Sequence, residues 1–112
     1  MRLRSLFATG LALCAALVGA CSDTCHTYCD RFNQCPGVTP QVCDSFCVNN
    51  HDTAARIGCL PQREAFESCA SGAPSVCGDA LAAACPAEST AFGACVHDYC
   101  AAHAGTPECA TP

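Results

Sequence analysis

Fourteen cysteines in 112 residues are the first chemistry this chain offers, and a single His-Asp pair is the second. Thiols can oxidise to disulfides, carry a lipid, hold a soft metal ion or exchange electrons, and spacing discriminates among these. No two cysteines stand as C-x-x-C, which removes the redox motif of that spacing and the usual zinc finger or ribbon signal. His97 and Asp98 lie inside Cys95-Val96-His97-Asp98-Tyr99-Cys100, where an imidazole could act as base and a carboxylate could hold a cation. His26, His51 and His103 have no matched ligand spacing and read as surface histidines. The ten acids are spread singly and read as a solvated surface. No phosphate loop, nucleophile-elbow serine or basic patch is present, and a formal charge of −5 argues against a nucleic-acid partner.

The elements that must position these residues begin after an export signal. Arg2 and Arg4 form a positive start, and Leu6 to Ala20 is an apolar run. The run is shorter than the roughly 20 apolar residues of a membrane-spanning helix and is followed at once by polar Ser22, Asp23 and Thr24. Residues 1–20 therefore read as a signal peptide. The string Leu17-Val18-Gly19-Ala20-Cys21 resembles the lipobox of bacterial lipoproteins. That resemblance implies cleavage before Cys21, diacylglycerol on its thiol and, often, acylation of the new amino terminus. It makes Cys21 the lipid anchor, and Cys14 goes with the signal. Ser22, in place of an inner-membrane-retaining Asp, implies outer-membrane sorting in the cell envelope, periplasmic or surface-facing. The alternative is ordinary secretion with Cys21 left as an odd thiol.

Residues 21–112 would then form the cysteine-rich domain. It carries three arginines (Arg31, Arg56, Arg63) against ten acids, a charge of −7, and has neither Lys nor Met. Leu, Ile, Val, Phe and Tyr together number fourteen there. At about 1.5–3 kcal/mol per large buried side chain, so few cannot comfortably offset the backbone entropy of the domain. Twelve cysteines remain, an even number: Cys25, Cys29, Cys35, Cys43, Cys47, Cys59, Cys69, Cys77, Cys85, Cys95, Cys100 and Cys109. They are disulfide candidates, because bridges would supply the missing stability in an oxidising compartment.

The fold class expected is all-α, a small disulfide-stapled domain beginning with an antiparallel helical hairpin at about 23–49. Cys25, Tyr28, Cys29 and Phe32 fall at i, i+3, i+4 and i+7, with Ser22 or Asp23 as cap and Pro36-Gly37 as stop. Thr39-Pro40 predicts the start of a second helix with Cys43, Phe46 and Cys47 on its inner face and Asn49-Asn50 at its end. Nested bridges Cys25–Cys47 and Cys29–Cys43 fit such a hairpin without crossing. The paired C-x3-C units resemble the twin Cx3C hairpin of small mitochondrial import chaperones, with Cys35 in the loop as a departure.

The second part, about 52–105, contains a repeat. A short helix is expected at Asp52–Ile57, closed by Gly58. Cys59–Cys69 and Cys85–Cys95 both read C-x5-A-F-x2-C, aligning Ala65-Phe66 with Ala91-Phe92. Each predicts a helix with an early Pro and an inner Phe/Cys face, the second continuing through Val96, Tyr99 and His103 to Gly105. Cys77, Leu81 and Cys85 predict an alanine-rich helix between them. The repeat cysteines could bridge as Cys59–Cys95 with Cys69–Cys85, or as Cys69–Cys77 with Cys59–Cys85.

As a whole the chain resembles short cysteine-rich lipoproteins of myxobacteria and related bacteria, most without an assigned role. That likeness implies a non-catalytic, lipid-anchored envelope module. Its partners would be the membrane, through Cys21, and an unidentified envelope protein; no cofactor or metal is expected. Two alternatives belong to other classes. A cysteine-lined helical bundle resembles bacterial copper-storage proteins and would sequester Cu(I) or Zn. The His97-Asp98 string partly resembles the H-D-x-C segment of secreted phospholipases A2, which would make His97 the base and Asp98 a calcium ligand.

Overall fold

The computed structural model describes residues 24–110. Residues 1–20, expected from the sequence to be a signal peptide, and Cys21 lie outside the described residues. Helix α1 occupies 24–32. It is followed by α2 (Cys43–Arg56), α3 (Leu60–Gly72), α4 (Asp79–Ala84), α5 (Pro86–Ala102) and a 3-10 turn at Pro107–Cys109. Among the described residues there is no strand. The domain is all-helical and held by six disulfides, with Cα–Cα separations from 5.4 to 6.0 Å that suit the bond.

The hairpin carries the two nested bridges expected of it, Cys25–Cys47 and Cys29–Cys43. Its second helix differs from the sequence reading at both ends. Residues 38–42 are not helical, and α2 begins at Cys43. The cause is Asn33, whose side chain donates to the carbonyl of Gln41 at 2.9 Å and accepts from its N–H at 2.8 Å. That two-point clamp engages the Gln41 backbone in place of a helical partner. At the other end α2 runs through Asn49-Asn50, and the Asn50 side chain donates to the carbonyl of Phe46 at 2.7 Å within the helix. The short helix expected at 52–57 is thus the last part of α2.

Gly58, at φ +75, does end that helix. The N–H of Cys59 reaches the carbonyl of Ala54 and the N–H of Gly58 reaches that of Ala55. This is the Schellman arrangement, in which a left-handed residue lets the chain turn back on itself. Its product is the fixed position of Cys59, which also stands before the first turn of α3. Pro61 and Pro86 sit in the first turns of α3 and α5, where a missing N–H costs nothing.

The repeat pairs with itself. Cys59, first in copy one, bridges Cys95, last in copy two, and Cys69 bridges Cys85 in the same antiparallel sense. The repeated Phe66 and Phe92 stack with ring centroids 6.3 Å apart. The first of the two pairings left open by spacing is therefore the one formed. Helix α4 is shorter than the stripe from Cys77 to Cys85 suggests, because Cys77 lies before it, bonded to Cys35. This Cys35–Cys77 bridge and Cys100–Cys109 complete the set.

A small core lies between the hairpin and α3. Tyr28, Cys35, Ala70 and Val76 are buried, with Phe32, Phe46, Phe66 and Leu81 packed around them. Tyr28 meets Phe66 edge-on at 5.7 Å, a favoured ring geometry. Arg31, on α1, donates to the carbonyls of Ala70, Ser71 and Ala73 at the end of α3. A guanidinium there adds donors to carbonyls at the helix end, of which that of Ala70 also accepts from the Ala73 N–H, and it opposes the negative end of the helix dipole.

Candidate functional site

The polar chemistry of the interior is concentrated on α3 and differs from the surface reading of its residues. Arg63 and Glu67 stand at i and i+4 on the buried face of that helix. Glu67 has 0% exposure and Arg63 has 8%. The Nε of Arg63 donates to one carboxylate oxygen of Glu67 at 2.7 Å, and the Nε2 of His51 lies 2.6 Å from the other. Glu67 is thus not one of the solvated acids, and His51 is not an isolated surface histidine. The physical reason is that each copes with burial through the other: a desolvated carboxylate needs donors on both oxygens, and α2 brings His51 to supply one.

Arg63 is enclosed by rings as well. Its guanidinium carbon lies 5.8 Å from the centroid of Phe46, 5.8 Å from Phe66 and 5.6 Å from Phe92. Among the described residues the Nη2 atom finds no hydrogen-bond partner. Three aromatic faces around a delocalised cation offer it electrostatic compensation in place of a hydrogen bond. Nearby, burial pushes the Tyr28 hydroxyl above its ordinary value of 10.0. Arg63 opposes that shift and Glu67 adds to it.

A cleft of about 360 Å³ lies over this cluster, with Asn49, Thr53, Arg63, Phe92, Val96 and Glu108 among its lining. At its margin Arg56 donates from Nε to Glu108 at 3.3 Å. The Glu108 carboxyl is held below its ordinary value, first by a hydrogen bond from its own backbone N–H and then by Arg56.

The other candidates are placed as follows. His97 and Asp98 project from α5 with side chains 83% and 85% exposed, and Nδ1 lies 3.7 Å from Oδ1. That distance is too long for a hydrogen bond that would orient the ring as a base. Neither residue lines the cleft just described. His26 pairs with Asp44 at 2.8 Å, and His103 stacks on Tyr99 at 4.1 Å. Two clusters bring potential metal ligands within 4.8 Å of one another: Cys25 with His51 and Glu67, and Cys69 with Cys85 and Glu88. Every cysteine in them is bonded to another cysteine. A disulfide sulfur carries no thiolate charge, so either cluster would need reduction before it could hold a soft metal.

All twelve cysteines from Cys25 to Cys109 are consumed in bridges. Sequence reasoning missed the buried Arg63–Glu67–His51 cluster. Its signal was the i, i+4 spacing of Arg63 and Glu67 around Phe66, which places a charge pair beside the inner Phe.

Fold and bridges together define a small disulfide-stapled helical domain. No protein-family model, no curated protein and no solved structure matches this chain. No helix among the described residues is long and apolar enough to cross a membrane.

Proposed function

We propose that this protein is a lipid-anchored module of the bacterial cell envelope, attached through Cys21 and acting by interaction and not by catalysis. One observation carries the reading. The six bridges use every cysteine between 25 and 109, so the domain asks nothing of Cys21. The sequence places that cysteine directly after Leu17-Val18-Gly19-Ala20, behind a charged and apolar export signal. A cysteine at that position, left over once the other twelve are paired, is the one a lipid would modify. Two or three acyl chains there give stable attachment where one chain gives only marginal binding.

The rigid, heavily bridged domain would be the part that meets a partner. Its net negative charge disfavours anionic head groups and nucleic acid. An envelope protein is the partner this chemistry leaves, docking on a surface that does not change shape.

The test is intact-mass analysis of the protein extracted from its native membrane, with and without reduction and alkylation. The expected product begins at Cys21, carries diacylglycerol there, and gains twelve alkyl groups only after reduction. An unmodified amino terminus would overturn the anchor. Alkylation without reduction would overturn the bridged state and favour metal sequestration. Calcium-dependent lipid cleavage abolished by His97→Ala would overturn the non-catalytic reading.

A further inference from the structure

We propose that the C-terminal half of α2, around Val48, His51 and Asp52, is the face the domain turns toward the lipid head groups. This rests on acylation of Cys21. Four peptide units separate Cys21 from Cys25. Whatever path they take, the two Cα atoms are within about 14 Å of each other. Cys25 is itself immobile: it is fully buried and bridged to Cys47 with a Cα separation of 5.9 Å. An acylated Cys21 therefore holds the membrane surface close to the middle of α2.

The register of the hairpin chooses the side. Cys25 is bonded to Cys47 and Cys29 to Cys43, so a step backward along α1 is a step forward along α2. Chain preceding Cys25 thus starts from beside the stretch of α2 beyond Cys47. Nine residues of α2 remain there, a length of about 14 Å at 1.5 Å per residue. A shallow cleft at this place is lined by His26, Cys47, Val48, His51 and Asp52. Val48 is an apolar side chain 59% exposed at this place.

The opposite end of the hairpin points away. Cys35, at the far end of α1, is bonded to Cys77, and α4 follows immediately. That makes the exposed alanines of α4 the distal reference.

The chain contains no lysine, so a substituted lysine is a unique side-chain amine. Acylated full-length protein carrying Val48→Lys or Ala82→Lys would be labelled with an amine-reactive fluorophore. It would then be reconstituted into phosphatidylethanolamine/phosphatidylcholine vesicles containing a nitroxide-headgroup lipid. The lysine-free parent measures any label on the amino terminus. Both variants should float with the vesicles, with fluorescence lost at position 48 and retained at position 82. Equal loss at the two positions, or loss only at 82, would overturn the orientation while leaving the anchor standing. Failure of the acylated protein to float would overturn the anchor and the orientation with it.

Discussion

The Nε of Arg63 donates to Oε1 of Glu67 across one turn of α3 at 2.7 Å, where the carboxylate has no contact with solvent. A buried pair of this kind is costly to split, because either partner alone is a desolvated charge. Glu67→Gln keeps the shape and removes the charge. It should destabilise the domain by about 3–5 kcal/mol. Replacing both, as Arg63→Met with Glu67→Leu, should cost much less. Urea unfolding followed by circular dichroism, with the bridges intact, measures both. A double variant as unstable as the single one would show that the pair is not the unit.

Tyr28 makes the fold sensitive to alkali. Its pKa lies above the ordinary value of 10.0 because burial disfavours the phenolate. A folded pKa raised above the unfolded one contributes stability that is full below pH 10 and lost as pH rises through the folded pKa. Absorbance titration should show Tyr28 ionising above that ordinary value, with unfolding alongside. Tyr28→Phe should remove that alkaline limb. An unchanged limb in the variant would assign it to other groups.

Removing bridges should rank by the chain they close. Cys35–Cys77 spans 42 residues and Cys100–Cys109 spans 9. The loop-entropy argument puts the first at about 4 kcal/mol and the second below about 3 kcal/mol. Paired Cys→Ser variants, compared by thermal melting, should keep that order. The longer bridge also fastens the loop between α1 and α2 to the segment just before α4, so its loss should loosen Val76 and Leu81 as well.

Arg31→Met should cost about 1–3 kcal/mol, since it removes the guanidinium donors from the carbonyls of Ala70 and Ser71. Arg31→Lys should recover only part of this, because an ammonium lacks the planar fork that reaches several carbonyls together. Chemical denaturation of the two variants would distinguish them. Equal loss in both would point to the fork, and equal retention would show that the contacts contribute little.

The hairpin was legible because C-x3-C repeats the helical period, and two such units facing each other leave one uncrossed pairing. The antiparallel pairing of the repeat was visible only as one of two options, since spacing along a chain does not say which helices are neighbours. Cys35 and Cys77 carried no local signal at all. The clamp of Asn33 on Gln41 was equally hidden: Thr39-Pro40 favours a helix start, and a side chain eight residues away in sequence overrides it. The buried cluster lay between these cases. Arg63 and Glu67 have the spacing of a pair, but nothing near His51 announces that α2 will deliver it to the same carboxylate.

The bridges do more than hold neighbours together. The spans 25–47, 35–77 and 59–95 overlap end to end, so no single cut between them can release a piece. Arg31, Arg56 and Arg63 are the places trypsin would cut among the described residues, and each lies inside at least one of those spans. Cleaved at every one, the molecule should still leave a column as one covalent body, heavier only by the waters added. Its peptide chain could be severed in three places while its sulfur network kept it whole, so that proteolysis would leave its shape and its surface in place.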